Sequence, residues 1–176
     1  MKQNETEKTQ GKILVVEDQS ATLEELSLAI REAMLGEVIE SRFSDCPEQE
    51  LGERGIVVAR DYNHAQEAIE NDSYDFVFLD HRIPREYDPE IEGDKDILVY
   101  SETLEDIGYS LIPRIRGKNG QTTIIGTSSC SQQKLMRFEK PDFRLEKAWG
   151  NATKDLKGIL NRIKCEESDR DERREE

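Results

Sequence analysis

The chain has 176 residues, 36% of them charged and 35% hydrophobic, with 25 basic against 39 acidic side chains and a net charge of −14. One domain of ordinary size plus extensions fits that length, and a surface so acidic repels phosphate backbones, which argues against nucleic acid as a partner. Three far-apart cysteines, Cys46, Cys130 and Cys165, and only two histidines argue against a disulfide framework or structural zinc and for a reducing, cytoplasmic setting; with no apolar run of ~18–20 residues and no apolar stretch in MKQNETEKTQ, neither a membrane span nor a secretory signal is expected.

Residues 1–10 read as a polar, flexible N-terminus. The run from Lys12 to Val16 is apolar and branched, as suits a strand buried on both faces of a parallel sheet, and it ends in Glu17-Asp18. Leu23, Leu26, Ile30, Ala33 and Met34 then recur at helical spacing, with Thr22 and Glu25 placed for a capping box. Residues 36–55 lack a clean period and read as a long loop or an extension of that helix. A second strand spans 56–59, and a helix follows in which Asn63 with Gln66 reads as the cap and Ala65, Ala68 and Ile69 as the inward face. Residues 75–80 form a third buried strand, again ending in an acid, Asp80.

Residues 85–106 hold nine acids and two bases, half of the net charge, and read as a solvated acidic flap. Asp88, Glu90 and Glu92-Gly93 faintly match a calcium loop, but the twelfth position is Val99, where such a loop needs a bidentate glutamate. Ile107, Leu111, Ile112 and Ile115 form a helical stripe with Pro113 at a kink or first turn. A fourth strand at 122–126 leads into Thr127-Ser128-Ser129, a short helix follows at 131–139, and 143–147 is a weak fifth strand ending at Lys147. Leu156, Ile159, Leu160 and Ile163 make a last helical stripe, with a solvated charged tail over 166–176.

Strands alternating with helices predict βαβ units in an α/β fold with one parallel sheet. Right-handed crossovers put the C-terminal ends of all its strands on one edge, where ligands bind in such sheets. Glu17, Asp18, Asp80, Thr127 and Lys147 all fall on that edge. Three close carboxylates repel one another and favour a divalent cation; hard oxygen donors with positions left for water suit Mg2+. A metal, a lysine and a hydroxyl around one carboxylate suit a phosphoaspartate site with Asp80 as nucleophile.

With KILVVEDQS, YDFVFLDHRIP, IIGTSS and RLEKAW in that order, the chain resembles the receiver domain of two-component response regulators over roughly residues 11–165, interrupted at 36–55 and 85–106. The resemblance implies a three-layer flavodoxin-like (βα)5 fold with strand order 2-1-3-4-5, as in the family's chemotaxis member. It implies Glu17, Asp18 and Asp80 as metal-binding acids, with the Arg82 backbone carbonyl completing the set for Mg2+. Asp80 is then the phosphoacceptor, Thr127 the hydroxyl that moves toward the phosphoryl group, Lys147 its counter-ion and Pro84 the residue closing the loop. The donor would be a sensor histidine kinase or a histidine phosphotransfer protein, the output an unidentified protein target. No turnover beyond self-phosphorylation and self-dephosphorylation is expected, and no output domain is expected after the last helix.

Three features depart from the family. Ala148 follows the lysine where proline is usual, and a cis bond there costs about 3–4 kcal/mol, so a trans link is expected. Arg144 stands where the family has its switch aromatic, with Phe143 one position off. The loop between Asp80 and the third helix, which normally has few residues, here has over twenty. Two other readings compete. One is an adaptor on the same fold that binds partners regardless of phosphorylation. The other is a small Mg2+-dependent phosphatase with an aspartyl nucleophile, which would want a second acid where Arg82 stands.

Overall fold

In a computed structural model, the structure describes residues 11–39, 46–93, 97–147 and 149–172. Five parallel strands form the central sheet: β1 (Ile13–Val16), β2 (Val57–Ala59), β3 (Phe76–Leu79), β6 (Thr123–Gly126) and β7 (Phe143–Arg144). Their order, β2-β1-β3-β6-β7, is the predicted 2-1-3-4-5 once the two short strands of a separate hairpin are set aside.

Side-chain alternation divides the core. Ile13, Val15, Phe78 and Ile125 face α1 (Ser20–Ala33), α2 (Pro47–Gly52) and α8 (Ala152–Glu172) and pack with Leu23, Leu26, Ile30, Leu51, Leu156 and Ile159. Leu14, Val16, Val77, Leu79 and Ile124 face α3 (Tyr62–Asn71) and α6 (Ile112–Lys118) and pack with Ala65, Ile69, Ile112 and Ile115. The result is a three-layer sandwich whose strands are apolar on both faces, which is why the short branched runs stand out in the sequence.

Local signals were less reliable. The first helix begins at Ser20 with Gln19 as its N-cap, so Thr22 lies in the first turn, buried, and its hydroxyl bonds Gln19 Oε1 at 3.3 Å instead of closing a capping box with Glu25. The second cap is Asp61, whose carboxylate accepts from the His64 amide at 2.7 Å, while Asn63 reaches out to Glu86 at 3.2 Å. Within 36–55, Pro47 opens α2, and Leu51 is fully buried. Pro113 sits in the first turn of α6, after a 3-10 turn over Gly108–Leu111. The weak fifth strand shortens to Phe143–Arg144, and α7 covers Gln132–Leu135. The last helix continues to Glu172, well into the charged segment.

The acidic insertion is folded. Its last residues, β5 (Leu104–Asp106), pair antiparallel with β4 (Arg82–Pro84), and between them lie α4 (Pro89–Gly93) and α5 (Ile97–Thr103). Glu92 accepts from the Ser20 amide at 2.6 Å and from Arg60 at 2.9 Å, which fastens α4 to the start of α1. Two acids of the calcium-like run are thereby used internally, Glu92 in these contacts and Asp88 in accepting from the Glu90 amide at 2.9 Å. Among the described residues, no helix is long and apolar enough to cross a membrane.

Candidate functional site

The sheet itself aligns the site. Glu17, Asp80 and Thr127 are the first residues past β1, β3 and β6, and each amide still extends the ladder. Glu17 N donates to Ala59 O at 3.1 Å, Asp80 N to Val16 O at 3.1 Å and Thr127 N to Leu79 O at 3.0 Å. Their side chains therefore stand in one row along the C-terminal edge. Leu145 N continues the same pattern from Gly126 O at 2.9 Å, and Lys147 follows two residues on.

Four of the predicted residues, Glu17, Asp18, Asp80 and Lys147, come together. Glu17, Asp18 and Asp80 each offer a carboxylate oxygen within 4.8 Å of the others, and all three are buried. Lys147 Nζ donates to Asp80 Oδ2 at 2.6 Å and to Glu17 Oε2 at 3.2 Å. Asp80 Oδ1 accepts from the His81 amide at 2.6 Å and the Arg82 amide at 3.4 Å. Thr127 is fully buried, and its hydroxyl has no hydrogen-bond partner among the described residues. The loop after Asp80 is tightly seated: a Cβ at Gly108 would fall 2.0 Å from the Asp80 carbonyl oxygen, so only glycine fits there.

One lysine does not balance three buried acids. Burial pushes the Glu17 carboxyl up to about 8, with Asp80 and Asp18 adding to the rise and Lys147 opposing it. Burial likewise raises Asp18 to about 6, against a hydrogen bond from Tyr100. For Lys147, burial works against the charge, but Glu17 and Asp80 outweigh it and hold the ammonium above its usual range. Asp18 Oδ1 is buried without a partner among the described residues. Hard oxygen donors, surplus negative charge and an orphaned carboxylate oxygen together fit a small divalent cation such as Mg2+.

The residues around this cluster have settled roles. His81 is buried, accepts from the Tyr109 amide at 3.2 Å and packs against the rings of Tyr109 and Phe138 at 4.8 and 4.6 Å, and burial holds its pKa down. It is a packing residue of the loop. His64 is exposed and paired with Asp61. Cys130 is half-buried, its thiol 3.8 Å from Asp106. Arg82 directs its guanidinium to the Ser101 carbonyl at 3.2 Å. Arg144 binds the carbonyls of Ser128 at 3.0 Å and Cys130 at 3.4 Å, bracing the loop after Thr127, while Phe143 packs among the partly buried apolar residues against α8. Ala148 lies outside the described residues.

Three site neighbours have no signal in the sequence. Tyr100, from the insertion, donates its hydroxyl to Asp18 Oδ2. Arg60 donates to the Asp18 carbonyl and to Glu92. Tyr109 lies under Gly126, its hydroxyl buried and unpartnered. Each acts across the fold, where no local spacing marks it.

No family model and no curated protein matches the sequence. Solved structures do. The N-terminal domain of an uncharacterized protein from Wolinella succinogenes is 18% identical over 89% of this chain and 98% of that one, with a TM-score of 0.51. A response regulator receiver domain from Francisella is 18% identical over 87% and 98%, with a TM-score of 0.45. A response regulator from Thermotoga maritima, in complex with Mg2+-BeF, is 19% identical over 86% and 97%, with a TM-score of 0.44. At these identities the likeness is one of fold.

Proposed function

We propose that this chain, a five-stranded parallel sheet of order β2-β1-β3-β6-β7, is a response-regulator receiver domain that takes a phosphoryl group onto Asp80 from a phosphohistidine. The donor is a sensor kinase or a phosphotransfer protein, and the signal passes on by protein–protein contact. One observation carries this reading: Asp80 meets Glu17 and Asp18 within 4.8 Å while Lys147 holds its Oδ2 at 2.6 Å.

Glu17, Asp18 and Asp80, with the Arg82 carbonyl, would hold Mg2+, which when bound offsets phosphoryl charge. The chain's own groups do the rest. An Asp80 oxygen attacks phosphorus, the P–N bond to the donor imidazole breaks, and its electron pair stays on that nitrogen, which takes up a proton. Lys147 transfers its contact from the carboxylate to the incoming phosphoryl oxygens. The Thr127 hydroxyl, buried and unpartnered, donates to another of them. Water later hydrolyses the acyl phosphate, and no other turnover follows.

Incubation of the full chain with acetyl phosphate tests this reading. Labelling is expected to require Mg2+ and to vanish in Asp80→Asn; undiminished labelling in that variant overturns it.

A second reading, an adaptor indifferent to phosphorylation, draws on Arg144. Its two carbonyl contacts clamp the loop after Thr127, the segment that would have to move. Equal partner affinity with and without beryllofluoride would favour it.

A further inference from the structure

The insertion that interrupts the fold reaches into the acid cluster. Tyr100 on α5 donates its hydroxyl to Asp18 Oδ2 across 82 positions of chain. The main-chain carbonyl of Asp18 is engaged by Arg60 at 2.5 Å. That leaves Oδ1, buried, as the side-chain oxygen of Asp18 with no hydrogen-bond partner among the described residues.

The tyrosine is itself held. Its carbonyl accepts from Thr103 Oγ1 at 2.8 Å, and the next carbonyl, Ser101 O, accepts from Arg82 at 3.2 Å. Immediately afterwards the chain enters β5 and pairs with β4, the strand that begins two residues after Asp80. At the other end of the insertion, Glu92 is bound by the Ser20 amide at 2.6 Å, the Ser20 hydroxyl at 3.0 Å, Arg60 at 2.9 Å and the Tyr87 hydroxyl. The ring of Tyr87 lies under the Arg60 guanidinium at 4.4 Å. The hydroxyl of Tyr100 is thus delivered to Asp18 by a segment anchored on both sides of the metal-facing loop.

We propose that Tyr100 is a positioning residue that restricts Asp18 to one metal-facing oxygen and thereby biases the site toward Mg2+ over Ca2+. A carboxylate with both oxygens open can chelate one ion. Ca2+ accepts such bidentate ligation within a flexible shell of 6–8 oxygens, whereas Mg2+ demands near-octahedral geometry and short single-oxygen contacts. A tyrosine hydroxyl on Oδ2 takes one of that oxygen's two lone pairs and fixes the carboxylate's rotation, which disfavours bidentate ligation through both oxygens. Hydrogen-bond partners of metal ligands typically contribute about 10–100-fold in affinity.

This inference rests on the metal reading above, and the two fail differently. Mg2+ and Ca2+ are titrated separately into the metal-free full chain by calorimetry, for the native protein, Tyr100→Phe and Glu92→Gln. In Tyr100→Phe, Mg2+ affinity is expected to drop about 10–100-fold while Ca2+ affinity holds or rises, so the ratio of the two falls at least about tenfold. Glu92→Gln loosens the insertion but keeps the hydroxyl on Asp18, and is expected to keep the ratio. Urea unfolding of the metal-free variants checks that each is folded. Equal losses for both cations in Tyr100→Phe, or the same ratio change in Glu92→Gln, would reduce Tyr100 to a structural contact and overturn the inference with the metal reading intact. Absence of saturable Mg2+ binding in the native chain would overturn the metal reading, and this inference with it.

Discussion

Lys147 Nζ lies 2.6 Å from Asp80 Oδ2, with 16% of the lysine side chain and 5% of the aspartate side chain exposed. A pair this sheltered resists substitution of one partner, because the other is left as an uncompensated buried charge. Lys147→Met is therefore expected to lower the unfolding free energy by about 3–5 kcal/mol, measured by urea titration of the metal-free protein at pH 8. Added Mg2+ should recover part of the loss by supplying positive charge to the same carboxylates. A change below about 1 kcal/mol would place the pair with exposed salt bridges and contradict the burial.

The acids themselves make stability depend on pH in an uncommon direction. Glu17 rises from an ordinary 4.5 to about 8 and Asp18 from 3.8 to about 6. Between those limits the folded chain binds protons that the unfolded chain has released. The stability these two acids contribute is therefore fully present below their unfolded values and is lost as pH rises from about 4 to about 8. Scanning calorimetry of the metal-free protein should show the melting temperature declining through that window. With Mg2+ at saturating concentration the decline should flatten, since the cation stabilises the ionised forms and expels the protons. The increment due to Mg2+ should accordingly be larger at pH 8 than at pH 6. A metal-free melting temperature that climbs from pH 5 to pH 8 would rule out these shifts.

The strands and the row of site residues were legible because one physical cause produces both. A parallel sheet buried on two faces needs short unbroken apolar runs, and the residue just past each run is placed at one edge by the hydrogen-bond ladder that ends there. Glu17, Asp80 and Thr127 could be located from the runs ending at Val16, Leu79 and Gly126 without knowing any side-chain contact. The caps were misplaced because Thr22 and Asn63 have the right chemistry at the wrong position, and only the true helix starts, after Gln19 and Asp61, decide which side chain meets a free amide. The insertion was misread for a different reason. Its acids look solvated in isolation, yet Glu92 and Tyr100 find partners 72 and 82 positions away, and no local periodicity encodes such pairings.

Gly126 and Tyr109 form a close packing pair beside Thr127. A Cβ at Gly126 would stand 2.1 Å from the Tyr109 hydroxyl oxygen and 2.8 Å from Pro141 Cγ. Gly126→Ala is therefore expected to cost about 1–3 kcal/mol through overpacking. Tyr109→Phe removes a hydroxyl that is buried without a partner, so that change alone should be near neutral or stabilising. Combining the two deletes the nearest obstacle to the new methyl group. The double variant should be more stable than the sum of the single effects, by a coupling of about 0.5–3 kcal/mol in a mutant cycle. Strict additivity would mean that the two groups do not meet.

Asp61 joins three parts of the molecule. Fully buried, it accepts from the His64 amide at 2.7 Å as the cap of α3, lies 2.7 Å from His64 Nδ1, and accepts from the Tyr87 amide at 2.8 Å at the entrance to the insertion. Asp61→Ala should lose about 0.5–2 kcal/mol of capping and a further cost of about 1–3 kcal/mol for the amide of Tyr87 left without its acceptor. Asp61→Asn keeps an acceptor for one amide and should cost less. The histidine supplies an independent readout. The hydrogen bond and charge of Asp61 raise the His64 pKa above its ordinary 6.5, so this pairing stabilises the fold fully below that value and fades as pH rises through the folded one. NMR titration of the ring protons should show His64 titrating above 6.5 in the native chain and shifting downward in Asp61→Asn. An unshifted titration in that variant would show that the carboxylate does not hold the ring in solution.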